Sequence, residues 1–239
     1  MKKDVKQILE EFVKECSKKL KLATIIQFGS STYTDDFDDV DLLFIPEKAV
    51  VPTQNILSLL SIMKSFENNY GEIVFDFGGV DTRKRKGRFF ITVIFLSKKE
   101  MEVQYNPNDK FLLQSLILDK NKRILYGNDV LEGKSFELNN RQLFELLVVE
   151  VKLALRKSLD DLETKKLAIR RLFKTFLRAM LINEGNFKKE ELLSKFKYKF
   201  CDEIKLPKNS EKIINKNITE KDFEDILKFT EDCLRYLVK

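Results

Sequence analysis

No histidine occurs in the 239 residues, and this absence excludes more chemistry than any other single feature. Without an imidazole there is no Ser-His-Asp or Cys-His mechanism and no His-containing zinc site. Acid–base work must fall to carboxylates, lysine or tyrosine, and a catalytic metal would be held by oxygen ligands, which suits Mg²⁺ or Mn²⁺. Cysteine is nearly as scarce. Cys16, Cys201 and Cys233 lie so far apart that neither a disulfide framework nor a CxxC metal knuckle can be read from them. No apolar run reaches the roughly 20 residues of a membrane span, and the opening MKKDVKQILEEFVKEC sets acids among its apolar positions, unlike a signal peptide. The expectation is a cytoplasmic protein with no membrane partner. Internal repeats and low-complexity tracts are missing too.

What is present supports folded cores. Hydrophobic residues make up 43% of the chain, 20 of them Phe, while charged residues reach 34%, above the usual quarter. The 44 basic side chains exceed the 38 acidic ones, for a net charge of +6. So small an excess allows a phosphate-bearing partner without demanding one.

Hydrophobic periodicity divides the chain in two. Val5, Ile8, Leu9, Phe12, Val13, Cys16 and Leu20 recur at helical spacing and predict an opening amphipathic helix. Two short apolar runs, 23–28 and 40–45, end at Gly29-Ser30-Ser31 and Pro46 and read as strands. A helix is expected over 52–70, then strands over 72–80 and 89–96 joined by the basic segment 81–88 as an antiparallel hairpin with a charged tip. A helical stretch after Pro107 leads into Ile124-Leu125-Tyr126-Gly127. From residue 141 strand signals vanish, and long periodic helices occupy about 141–160 and 162–184. The expected fold class is α+β: a mixed sheet with helices in residues 1–135, followed by an all-α helical bundle in 136–239.

One constellation carries chemistry. A buried strand ends at Gly29-Ser30, and after a short spacer a second strand begins Asp39-Val40-Asp41. Alternation along a strand turns Asp39 and Asp41 to one face and Val40, Leu42 and Phe44 to the other. Two carboxylates held so close repel each other unless a cation lies between them. Gly29 lets backbone approach a phosphate closely, and Ser30 offers a hydroxyl and an amide donor there. Taken singly, a Gly-Ser or an Asp-x-Asp is more often a turn or a cap; the order, spacing and flanking buried runs favour a site.

This arrangement resembles the signature of the polymerase β type nucleotidyltransferase superfamily: hydrophobic strand, Gly-Ser, spacer, then acid-hydrophobic-acid. The resemblance implies a Mg²⁺-dependent enzyme that transfers a nucleoside monophosphate from an NTP, ATP foremost, to a hydroxyl acceptor by a two-metal mechanism. Candidate acceptors are a small molecule, an RNA end and a protein side chain. It further implies a third carboxylate on the strand after the second helix, beside the pair, acting as metal ligand and base. Asp76, flanked by Phe75 and Phe77, is the residue expected there, with Asp81 and Glu102 as alternatives. The spacer Ser31-Thr32-Tyr33-Thr34-Asp35-Asp36 lacks the Arg-Gly of many members. The helical half resembles, more loosely, the bundles that follow such cores. Arg83, Arg85 and Arg88 are candidates for phosphate or acceptor contacts, nucleic acid included, against a solvated tip. The rival reading is a catalytically silent module of the same fold that binds nucleic acid or a protein.

Overall fold

A computed structural model describes residues 2–34, 37, 39–77, 88–103, 106–159, 161–185, 187, 189–200, 202–215 and 218–239. They form two compact units, one of residues 1–105 with 119–134 and the other of 106–118 with 135–239. The division is discontinuous, whereas a single cut near residue 135 was expected. Asn106–Leu118 belongs with the second unit.

In the first unit, helix α1 (Lys2–Lys19) buries Val5, Leu9, Phe12, Val13 and Cys16, the stripe that its periodicity predicts. It packs against strands β1 (Leu22–Phe28) and β2 (Asp39–Pro46) together with α2 (Thr53–Asn69). Phe12 is the centre of this core, its ring 4.5 Å from that of Phe75, 5.4 Å from Phe66 and 6.3 Å from Phe44. Strands β3 (Ile73–Asp76), β4 (Phe89–Phe95) and β5 (Arg123–Gly127) complete the sheet in the order β3-β4-β2-β1-β5. A short helix α3 (Lys98–Val103) follows β4.

The expected hairpin between β3 and β4 does not form. These strands run parallel, with Ile73 opposite Phe89 and Asp76 opposite Thr92. Parallel neighbours need a crossover of about a dozen residues or more, which the segment from 77 to 88 is long enough to supply. Adjacency in sequence with a polar connection predicts pairing, but the loop length admits either direction. β4 also pairs parallel with β2, while β1 pairs antiparallel with β2 and with β5.

The second unit is helical: α4 (Pro107–Leu118), α5 (Asn140–Lys157), α6 (Leu162–Leu181), α7 (Lys189–Phe200), α8 (Ser210–Ile214) and α9 (Lys221–Leu237). Asn139 opens α5 with a reciprocal cap, its side chain accepting from the Gln142 amide while Gln142 accepts from the Asn139 amide. Asp161 caps α6 through the Thr164 amide. The core gathers Phe173 and Phe176 of α6, Phe196 and Phe200 of α7 and Phe229 of α9. Cys16 and Cys233 are buried in their respective cores, and burial pushes both thiols far above their ordinary value, which disfavours the reactive thiolate. No helix among the described residues is long and apolar enough to cross a membrane.

Candidate active site

The site begins where β1 runs out. Gly29 takes φ 79° and ψ −163°, a backbone region open in practice to glycine alone. A Cβ there would also lie 2.8 Å from Asp41 Oδ2. The glycine therefore satisfies two demands at once, a chain reversal and close contact with a carboxylate on the next strand.

After Gly29 the chain forms a 3₁₀ turn, Ser30–Thr32. The Thr32 amide and hydroxyl both donate to the Gly29 carbonyl, at 3.2 and 2.8 Å. Beneath the turn, the buried Gln27 side chain donates to Ser31 Oγ at 3.1 Å, and from β5 Arg123 Nη2 donates to the Thr32 carbonyl at 3.0 Å. The turn is thus fixed on both sides by residues outside it. Gln27 and Arg123 were not singled out in the sequence, although a glutamine inside the apolar run Ile25-Ile26-Gln27-Phe28 is a legible signal of a buried polar contact.

On β2, Val40, Leu42 and Phe44 are buried toward the helices, while Asp39 and Asp41 are half-buried on the alternate positions. Asp41 stands opposite Phe28 on β1 and opposite Thr92 on β4. Thr92 is in turn opposite Asp76. The register therefore sets Asp76, Thr92 and Asp41 in one row across β3, β4 and β2. The strand expected to run beside the paired acids is one place further out, because β4 occupies that position. Two strand spacings separate the backbones of Asp76 and Asp41, roughly 9–10 Å. Thr92, buried between them, has no local signal in the sequence.

Among the described residues, no three Asp, Glu, Cys or His side chains gather closely enough to hold a metal ion between them. Mg²⁺ does not require such a cage, since it is usually held by one or two carboxylates with phosphate oxygens and water completing its shell. The Asp39 and Asp41 pair meets that demand in donor type and in number. Arg83, Arg85 and Asp81 lie outside the described residues. Arg88 is exposed immediately before β4. Glu102 lies on α3, exposed, with Lys99 at 3.5 Å, and is not on the sheet.

No protein-family model matches the sequence, and no curated protein matches it. Among solved structures, the chain is similar to spectinomycin adenyltransferase AAD(9) from Enterococcus faecialis, crystallised with ATP and spectinomycin. The TM-score is 0.52 at 15% identity, over 96% of this chain and 99% of that one. The fold is that of a nucleotidyltransferase. The likeness extends over both halves of this chain, as the coverage requires.

Proposed function

We propose that the chain is a Mg²⁺-dependent nucleotidyltransferase that moves a nucleoside monophosphate from an NTP, ATP foremost, to a hydroxyl acceptor. The observation that carries this reading is the contact at the head of β2, where Asp41 lies against a Gly29 that tolerates no side chain. ATP in the structure of the similar adenyltransferase supports the choice of NTP. Asp39 and Asp41 would hold the metal, which when bound neutralises phosphate charge and polarises the phosphorus under attack. Gly29 and Ser30 would receive the phosphates, with bare backbone at the first and a hydroxyl at the second. In the transfer, the acceptor oxygen forms a bond to the α-phosphorus while the bond from that phosphorus to the bridging oxygen breaks and pyrophosphate leaves. Asp76 is the carboxylate assigned to take the acceptor proton, and its removal should lower turnover more than nucleotide affinity.

The distance of Asp76 from the pair favours a second reading, a silent module that retains the fold without turnover. Titration of ATP with and without Mg²⁺, followed by incubation with labelled ATP and cell extract, separates the two. Metal-dependent binding and transfer of label, both lost in Asp41→Asn, is the expected result. Binding that ignores Mg²⁺, or full transfer by Asp41→Asn, rejects the enzyme reading.

A further inference from the structure

Gln27 of β1 and Arg123 of β5 stand directly opposite each other in the antiparallel pairing, so both side chains leave the same face of the sheet. Gln27 is also opposite Leu42 of β2, which packs in the core with α1 and α2, whereas Asp41 is opposite Phe28, one position further along β1. The pair therefore lies on the face of the sheet away from Asp39 and Asp41. From there the two side chains converge on one short segment, the turn that follows Gly29. Gln27, only 5% exposed, donates to Ser31 Oγ at 3.1 Å, and Arg123 donates to the Thr32 carbonyl at 3.0 Å. On its α1 side the turn borders open space: a cavity of about 400 Å³, floored by Val5, Leu9 and Val13, is also lined by Gln27, Ser31 and Arg123. The backbone bonds within the turn are few and local, from the Thr32 amide to the Gly29 carbonyl at 3.2 Å and from the Tyr33 and Thr34 amides to the Ser30 carbonyl at 3.3 and 3.1 Å. A single turn closed this way is marginal by itself, because it fixes many dihedral angles for few bonds. The two bonds from the strands tie it to a rigid support.

We propose that Gln27 and Arg123 are positioning residues for nucleotide binding, a cross-strand bracket that sets Gly29 and Ser30 in place from the opposite face of the sheet. The proposal rests on the assignment of Gly29 and Ser30 to the phosphates. Both bonds go to the turn, so each residue acts through it. With either bond removed, the turn samples other conformations, and ordering it again opposes binding of the triphosphate. Ground state and transition state share the same phosphate seat, so the loss falls on KM more than on kcat. That signature is the reverse of the one expected for Asp76.

The test uses the full chain with Arg123→Gln, Gln27→Met and the two combined, read by calorimetry with Mg²⁺-ATP and by amide hydrogen exchange without nucleotide. Arg123 is exposed on β5, so its replacement leaves the core intact even if Gln27→Met disturbs it. Each single change should weaken Mg²⁺-ATP about fivefold or more, and the double change should cost less than the product of the two, because both act through one turn. Arg123→Lys, which keeps a donor, should lose less than Arg123→Gln. In the unliganded variants the Thr32, Tyr33 and Thr34 amides should exchange about tenfold faster or more, with those of α2 unchanged. Unaltered exchange of the three amides in both single variants overturns the proposal, and so does faster exchange with unaltered Mg²⁺-ATP affinity. A wild-type chain that binds no Mg²⁺-ATP rejects the proposed function instead, and the exchange rates then decide by themselves whether the pair holds the turn.

Discussion

At the scale of single residues, Gly29 bears the greatest constraint. With φ 79° and ψ −163° and Asp41 Oδ2 waiting 2.8 Å from any Cβ, Gly29→Ala is strained in its backbone and crowds a carboxylate. The strain alone costs about 1–3 kcal/mol. Calorimetry should show Mg²⁺-ATP binding abolished and the thermal midpoint lowered; unchanged nucleotide affinity would place the triphosphate elsewhere. Asp41→Asn keeps the shape and removes the charge. If Asp41 holds the metal as proposed, its loss should exceed the about 10–100-fold that outer-shell partners are worth and lower kcat/KM by roughly a hundredfold or more, with the fold intact by circular dichroism. Asp76→Asn tests a different role, because the base it is proposed to be would act on the transition state. Its kcat should fall with the ATP dissociation constant nearly unchanged.

At the scale of elements, the edge strand β3 and the last helix show how side chains complete backbone structure. β3 lies at the edge of the sheet, and Glu67 of α2 accepts the Phe75 amide at 2.8 Å, satisfying a donor that the ladder leaves over. In the first turn of α9, the Asp222 carboxylate is buried. It accepts from Asn209 Nδ2 at 2.7 Å and from the Thr219 amide and hydroxyl at 2.8 Å each. Burial pushes this carboxyl up, and the three hydrogen bonds outweigh it, holding it below the usual carboxylate value. A folded-state pKa below the unfolded one means stabilisation that is complete above about pH 4 and is lost as pH falls through the folded value. Urea midpoints for the wild type and Asp222→Asn should therefore differ at pH 7 and converge below pH 4. A constant difference across that interval would show that the charge on Asp222 contributes nothing.

At the scale of the whole chain, the discontinuous division makes its own prediction. Phe111 and Leu118 pack on the helical core, Lys110 donates to Gln142 Oε1, and Gln114 accepts the Phe136 amide. A fragment of residues 135–239 lacks these partners, so it should melt at a lower temperature and less cooperatively than 106–239; equal melting would show α4 to be dispensable. Charge also acts at this scale. If Arg83, Arg85 and Arg88 meet a nucleic-acid backbone, binding should weaken steeply with salt, and neutralising the three should reduce the slope of log K against log salt by roughly one per lost contact. Affinity for RNA no greater than that of an unrelated protein of similar charge would remove nucleic acid from the list of acceptors.

Much was legible in the sequence because periodicity depends only on neighbours along the chain. The stripe Val5, Leu9, Phe12, Val13, Cys16 fixes α1 and its buried side, and alternation over Asp39-Val40-Asp41 fixes which face of β2 carries the acids. The α+β class and the change to helices after residue 140 follow from the same signal. Strand direction does not follow, since a connection running from 77 to 88 permits either an antiparallel return or a parallel crossover. The partner of each strand is decided only when the whole sheet assembles, which is how β4 came to stand between Asp76 and Asp41. The cavity over Val5 and Val13, the clamp of Arg123 on the Thr32 carbonyl and the joining of α4 to the helical unit likewise bring together residues distant in sequence. No local pattern encodes such contacts, because their free energy exists only after the chain has closed upon itself.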